Sequence, residues 1–236
     1  MKNLQGIVVG ALLLTPLVLS AEEAPPRVVD PKADRIMERA CEQLKSAPGF
    51  SVRADISYDD ILTSGLTVQY QRSSELLLDR PNHLRVDNES DKGSRTILYD
   101  GKTLTVFDPE MNMYVQVPAP DTIDATLDKL EERGVSLPLD DLMSSEPCAW
   151  LHEAVWDGFY GGRHFLDGGF VHHLLFRVAA ADFQVWIQGG EVPVIRKVII
   201  EYREKEGKPR YEARLSDWNF RPEIKAEEFT FTPPEG

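Results

Sequence analysis

The side chains that could do chemistry in this 236-residue chain are few, and their spacing is wrong for most of it. Of the five histidines (His83, His152, His164, His172 and His173) the last two are adjacent in a strand-like run. Neighbours in a strand point to opposite faces and cannot grip one metal together. His164 and one of that pair could meet across a hairpin, although a structural or solvated histidine is the commoner outcome. The carboxylate pairs Asp59-Asp60 and Asp140-Asp141 are adjacent in sequence, whereas acid–base work needs two carboxyls held at a set distance across a cleft. The first pair reads as a solvated edge strand, the second as negative charge at a helix start. There is no G-x-S-x-G elbow, Walker loop, H-E-x-x-H or glycine-rich dinucleotide fingerprint. No catalytic residue, no metal site and no cofactor is therefore expected.

Two cysteines remain, Cys41 and Cys148. Export would permit a disulfide between them; two buried thiols acting as small hydrophobes are the alternative. The run Asp182–Gln188 alternates Phe183, Val185 and Ile187 with Gln184, Trp186 and Gln188. Trp186 suits the mouth of an apolar pocket, ring buried and N–H bonded, or equally a ring packed across from the next strand. Asp217-Trp218-Asn219 admits the same two readings.

These residues need elements to position them. Asp30-Pro31 opens a helix, with aspartate capping and proline at the first helical position. Ala33, Ile36, Met37, Ala40, Cys41 and Leu44 fall on its apolar face. From Phe50 the period becomes two. Strands are predicted over 50–61, 66–78, 83–88, 96–99, 103–107 and 113–117, and again over 154–160, 164–166, 170–178, 182–188, 194–203, 210–219 and 228–232. Asp100-Gly101, Gly161-Gly162, Asp167-Gly168-Gly169 and Gly189-Gly190 read as turns, the first suited to a tight hairpin. Between the two strand runs lies a helical insert over about 120–150. It holds a helix at 122–132 with the stripe Ile123, Leu127 and Leu130, then a second apolar cluster at Leu137, Leu139, Leu142 and Met143.

Helical apolar faces flanked by sheet on both sides point to one curled sheet with helices laid into its concave side. The insert is either permanent core or a lid over a groove, with Gly134 and Pro138 framing the connection.

A net charge of −13 opposes docking on nucleic-acid phosphates and weakens residence on an anionic lipid surface. Lys2, the apolar run 7–19 and the small residues Ser20 and Ala21 read as a secretory signal peptide over 1–21. A flexible lead over 22–29 and one domain over 30–236 would follow. The expected product is periplasmic, monomeric and not integral to the membrane.

The run Tyr99-Asp100-Gly101-Lys102-Thr103-Leu104 is followed by Leu137-Pro138-Leu139-Asp140-Asp141-Leu142 and His173-Leu174-Leu175-Phe176-Arg177. Trp186-Ile187, Pro193, Arg196-Lys197, Asp217-Trp218-Asn219, Phe229-Thr230-Phe231 and Pro233-Pro234 close the series. In this order they resemble domain-of-unknown-function family 2092, predicted periplasmic proteins similar to the LolA/LolB type of outer-membrane lipoprotein carriers. The resemblance implies an α+β fold: an incomplete, strongly curled antiparallel β-barrel with helices on its concave side and an apolar cavity for acyl chains. The carriers' lid-locking arginine has no counterpart that a motif identifies. The expected function is a non-catalytic carrier or sensor for a lipid or other apolar ligand. Leu127, Leu130, Leu142 and Met143 would come from the lid, with Phe176, Val185, Trp186 and Ile187 from the wall. The alternative is an envelope protein-interaction module with a filled core.

Overall fold

The computed structural model describes residues 26–134 and 140–234. The expected signal peptide over 1–21 and Leu137, Pro138 and Leu139 of the insert lie outside the described residues.

Among the described residues, twelve strands form one sheet in two meanders. The first comprises β2 (Gly49–Ile61), β3 (Thr67–Asp79), β4 (His83–Ser90), β5 (Arg95–Tyr99), β6 (Thr103–Asp108) and β7 (Met113–Pro118). The second comprises β8 (Asp157–Leu166), β9 (Gly169–Arg177), β10 (Ala181–Gln188), β11 (Val194–Tyr202) and β12 (Arg210–Asn219). Antiparallel pairing of β12 with β2 joins them. A short strand β1 (Val28–Val29) completes the order β1-β8-β9-β10-β11-β12-β2-β3-β4-β5-β6-β7. The sheet curls without closing, and among the described residues β7 is a free edge. The fold class is that expected from the sequence.

At the other edge β1 runs parallel to its neighbour, β8, whereas the remaining pairs are antiparallel. The end of the predicted flexible lead is thus a strand. It can lie close because Gly158 has no side chain: a Cβ there would come within 2.8 Å of Val29 and 2.9 Å of Phe176.

Helix α1 (Pro31–Ser46) starts where the cap signals placed it, with Asp30 Oδ1 accepting from the Lys32 amide at 2.7 Å. Ala33, Met37, Ala40 and Leu44 are its buried stripe, laid on β8, β9, β10 and β11. The face carrying α1 is the inner face of the sheet. The insert contributes α2 (Ile123–Glu131), a 3-10 turn at Asp140–Leu142 and α3 (Ala149–Glu153). The Thr122 hydroxyl caps α2 by accepting from the Ala125 amide at 3.2 Å. Cys41 in α1 and Cys148 before α3 are joined by a disulfide with Cα atoms 5.7 Å apart, an ordinary bridge separation.

Two further expectations from the sequence differ in the structure. Gly161-Gly162 does not end a strand. The predicted pieces at 154–160 and 164–166 are one strand, β8, whose register shifts between Tyr160 and Gly162. This is a bulge, and Gly162 takes the positive φ (+101°) that it needs. The segment 228–232 is not a strand, because it crosses the sheet's outer face instead of running along an edge. It forms a 3-10 turn, Ala226–Phe229, and acts as a strap: Phe229 stacks on His83 at 5.0 Å, and Phe231 packs on Phe107 and Tyr114. Among the described residues, no helix is long and apolar enough to cross a membrane.

Candidate ligand groove

Strand alternation sends every second residue to the inner face. Pairing register then fixes which of them line up. Val52 faces Leu76, Leu76 faces Val86, Val86 faces Ile97, Ile97 faces Val106 and Val106 faces Val115. The result is an unbroken apolar rung across β2 to β7, roughly 20 Å from Leu76 to Val115 at normal strand spacing. Its exposure rises along the way: Val52 is 5% exposed, Leu76, Val86 and Ile97 are half-buried, Val106 is 38% exposed and Val115 is 62% exposed. Leu142 and Met143 of the insert cover the end at β2; the end at β7 is bare.

At the covered end the rung runs into a cavity of about 110 Å³ walled by Val52, Leu76, Val86, Ile97, Leu142 and Met143, with Arg72 and Tyr211 at one side. A second cavity, of about 60 Å³, lies beyond Leu142, among Met37, Trp150, Phe183 and Val185 and, on β11, Val198 and Ile200. Leu142 is shared by both cavities and, at 8% exposure, is the side chain that separates them.

The insert that carries Leu142 is fastened at several points. Arg80, in the β3–β4 turn, donates through Nη1 to the Met143 carbonyl at 2.8 Å. Burial lowers the Arg80 pKa, with Asp124 opposing that shift. Burial also pushes the Asp124 carboxyl up, but the Ser145 amide, the Ser144 and Ser145 hydroxyls and Arg80 outweigh it and hold the group below its ordinary value. The Ser145 amide donates to Asp124 Oδ1 at 2.8 Å and the Ser144 hydroxyl at 3.0 Å. Lys45 of α1 grips Glu146 at 2.6 Å. Asp141 lines the smaller cavity, where burial and the neighbouring Asp140 push its carboxyl up to about 6. Asp141 as a whole is exposed, so solvent screens part of this penalty.

A family model described as "Predicted periplasmic protein (DUF2092)" matches residues 33–236. The chain belongs to this family. No curated protein matches it by sequence. Among solved structures, LprF from Mycobacterium bovis is 13% identical, covering 88% of this chain and 98% of its own, with a TM-score of 0.51. The lipoprotein LppX from Mycobacterium tuberculosis is 11% identical, covering 83% and 100%, with a TM-score of 0.49. The LolA superfamily protein NE2245 from Nitrosomonas europaea is 14% identical, covering 84% and 97%, with a TM-score of 0.44. At these identities the likeness is one of fold, and LprF carries it.

In this DUF2092 member the residues expected at a ligand site separate into groups. Leu142 and Met143 wall the larger cavity, and Leu142 and Val185 the smaller. Phe176 and Ile187 are buried core at 2% and 0% exposure, and Phe176 meets the edge of Trp150. Leu127 and Leu130 are half-buried on α2 and reach neither cavity. Trp186 is on the wrong face for a groove. Alternation turns it outward, where it stacks on His173 at 4.2 Å with Lys197 above its ring; its glutamine neighbours marked an outer surface and not a pocket mouth. His164 and His173 do meet across the hairpin, ring centroids 4.4 Å apart. Among the described residues no cluster of three or more metal-ligating side chains forms.

Sequence reasoning missed Trp150, Arg72, Tyr211 and Arg80. For Arg72 a signal existed: it shares the inner register with Leu76 and Leu78, where a guanidinium is out of place. Arg80 gave none, because its role depends on a carbonyl 63 positions away.

Proposed function

We propose that this protein is a non-catalytic periplasmic carrier or sensor, exported by a cleaved signal peptide, that holds a lipid or other apolar ligand on the inner face of its half-barrel. The observation that carries the reading is the apolar rung from Leu76 to Val115, which leads from a cavity to a free sheet edge with its outer half uncovered. Aliphatic side chains exposed in a row on a concave face are what an acyl chain would cover, at about 0.8 kcal/mol per buried methylene. Leu142 and Met143 act as a plug in this reading. Displaced with the insert, they leave one continuous groove where two small cavities now stand.

The size of those cavities, about 110 and 60 Å³, favours the second reading, an envelope interaction module with a filled core, since ligand pockets usually exceed roughly 300 Å³. Native mass spectrometry of protein purified from its own periplasm, followed by organic extraction, separates the two. A co-purifying lipid supports the carrier. A clean apo mass, together with no uptake of a fluorescent fatty acid, refutes it and leaves the module.

A further inference from the structure

The larger cavity is apolar except at one side, and that side has a consistent chemistry. Tyr211 is 4% exposed, yet among the described residues its hydroxyl has no hydrogen-bond partner, nor has Arg72 Nε. Both residues line the cavity. Burial pushes the Tyr211 phenol up to about 12, against the opposing pull of the Arg72 charge and of a contact between Arg72 and the phenol, across β2, that falls short of hydrogen-bond geometry. The phenol therefore stays protonated and able to donate at any physiological pH. Asn88, also on the wall, accepts from the Ser74 hydroxyl through Oδ1 at 2.7 Å, which leaves its amide nitrogen, a donor. Among the described residues no aspartate or glutamate lines this cavity, although the chain carries 39 of them. A pocket lined with donors and lacking acids, inside a protein of net charge −13, is selective by construction.

We propose that Arg72 and Tyr211 form the head-group end of the groove and select a single-chain amphiphile bearing a carboxylate, its alkyl chain lying along the rung from Leu76 to Val115. The inference rests on the reading of the inner face as a ligand groove. Its geometry is simple. The carboxylate accepts from the Tyr211 hydroxyl and from the guanidinium, charge-assisted bonds that are among the stronger ones available to a protein. The cavity, about 110 Å³, takes a carboxylate and the first few carbons once Leu142 gives way, and has no room for a glycerophosphate diester. The chain then leaves towards β7, the direction in which the rung opens to solvent.

The test compares a saturated long-chain fatty acid, its methyl ester and an alkyltrimethylammonium of equal length by calorimetry or displacement of a fluorescent probe. The acid is expected to bind at least tenfold more tightly than the ester, and the cation more weakly than either. Tyr211→Phe and Arg72→Met should each bring the acid down to the affinity of the ester. Tyr211→Phe removes only a hydroxyl, so it keeps the test valid if Arg72→Met fails to fold. It should also leave the thermal midpoint of the ligand-free protein unchanged or raised, and a clear drop would mean that the hydroxyl is satisfied within the fold, overturning the assignment. Equal binding of acid and ester, or a preference that survives Tyr211→Phe, overturns the head-group site while leaving the groove. Failure of all three ligands to bind overturns both.

Discussion

Replacing Leu142 with alanine probes the plug directly. Leu142 is 8% exposed and forms part of the wall of both inner cavities, so truncation joins them. Buried Leu→Ala substitutions cost about 2–5 kcal/mol, least where the site can relax. A short insert relaxes well, so about 2 kcal/mol is expected. With a urea dependence of about 2 kcal/mol/M for a chain of this size, the unfolding midpoint should fall by about 1 M. Ligand binding should move the other way. Opening the wild-type insert strips Leu142 of its burial, at a cost of about 2 kcal/mol, and most of that cost disappears with alanine. Fatty-acid affinity should therefore rise by about ten- to thirtyfold. Urea titration followed by intrinsic fluorescence gives the first quantity, and displacement of a fluorescent fatty acid gives the second. A variant that loses the expected stability but binds no tighter would show that the ligand does not take the space of Leu142, and the plug argument would fail.

Replacing Cys41 and Cys148 with serine removes a cross-link over 107 positions and should lower stability by about 4–5 kcal/mol in the chain-entropy model; an unchanged denaturation midpoint counts against it. Arg80→Met deletes the bond to the Met143 carbonyl and should speed amide exchange across residues 143–154 by about tenfold or more, whereas unaltered exchange would mean that other contacts hold the insert. The Asp141 carboxyl is raised to about 6 from 3.8, so the fold binds its proton more tightly than the unfolded chain does. Its contribution to stability is complete below about 3.8 and is lost as pH rises through about 6. Asp141→Asn should accordingly raise the thermal midpoint near pH ~8 and change little near pH ~4; the opposite pattern rejects the burial argument. Trp186→Ala, on the outer face, should leave fatty-acid affinity within about twofold, since it removes only packing on His173; a large loss would restore Trp186 to the groove.

The two meanders were legible because alternation and turn chemistry agree along most of the chain. Strand β12 matches its predicted span, and α1 begins where Asp30-Pro31 placed it. Gly161-Gly162 misled because a bulge and a turn ask for the same residue, one that tolerates positive φ. The C-terminal segment alternates like a strand, yet its aromatics serve to clamp the outer face through Phe229 and Phe231. Helix α3 is only five residues long, too short for its period to register. The groove was half legible. Val185, Leu142 and Met143 follow from local pattern, but Arg72 and Tyr211 meet only because β12 pairs with β2, a long-range fact that no local period encodes.

The bridge between Cys41 and Cys148 has a topological consequence. It closes a covalent ring around all of β2 to β7 and α2, the wing that carries the apolar rung. One peptide bond inside the ring can be cut without releasing either piece. Gly134, at positive φ just past the exposed end of α2, offers such a point. Nicked there, the protein would migrate as a single species until reduced. Both meanders would stay paired, and Arg80, Asp124 and Lys45 would still hold the insert at Met143, Ser144, Ser145 and Glu146, a cut chain whose groove remains whole.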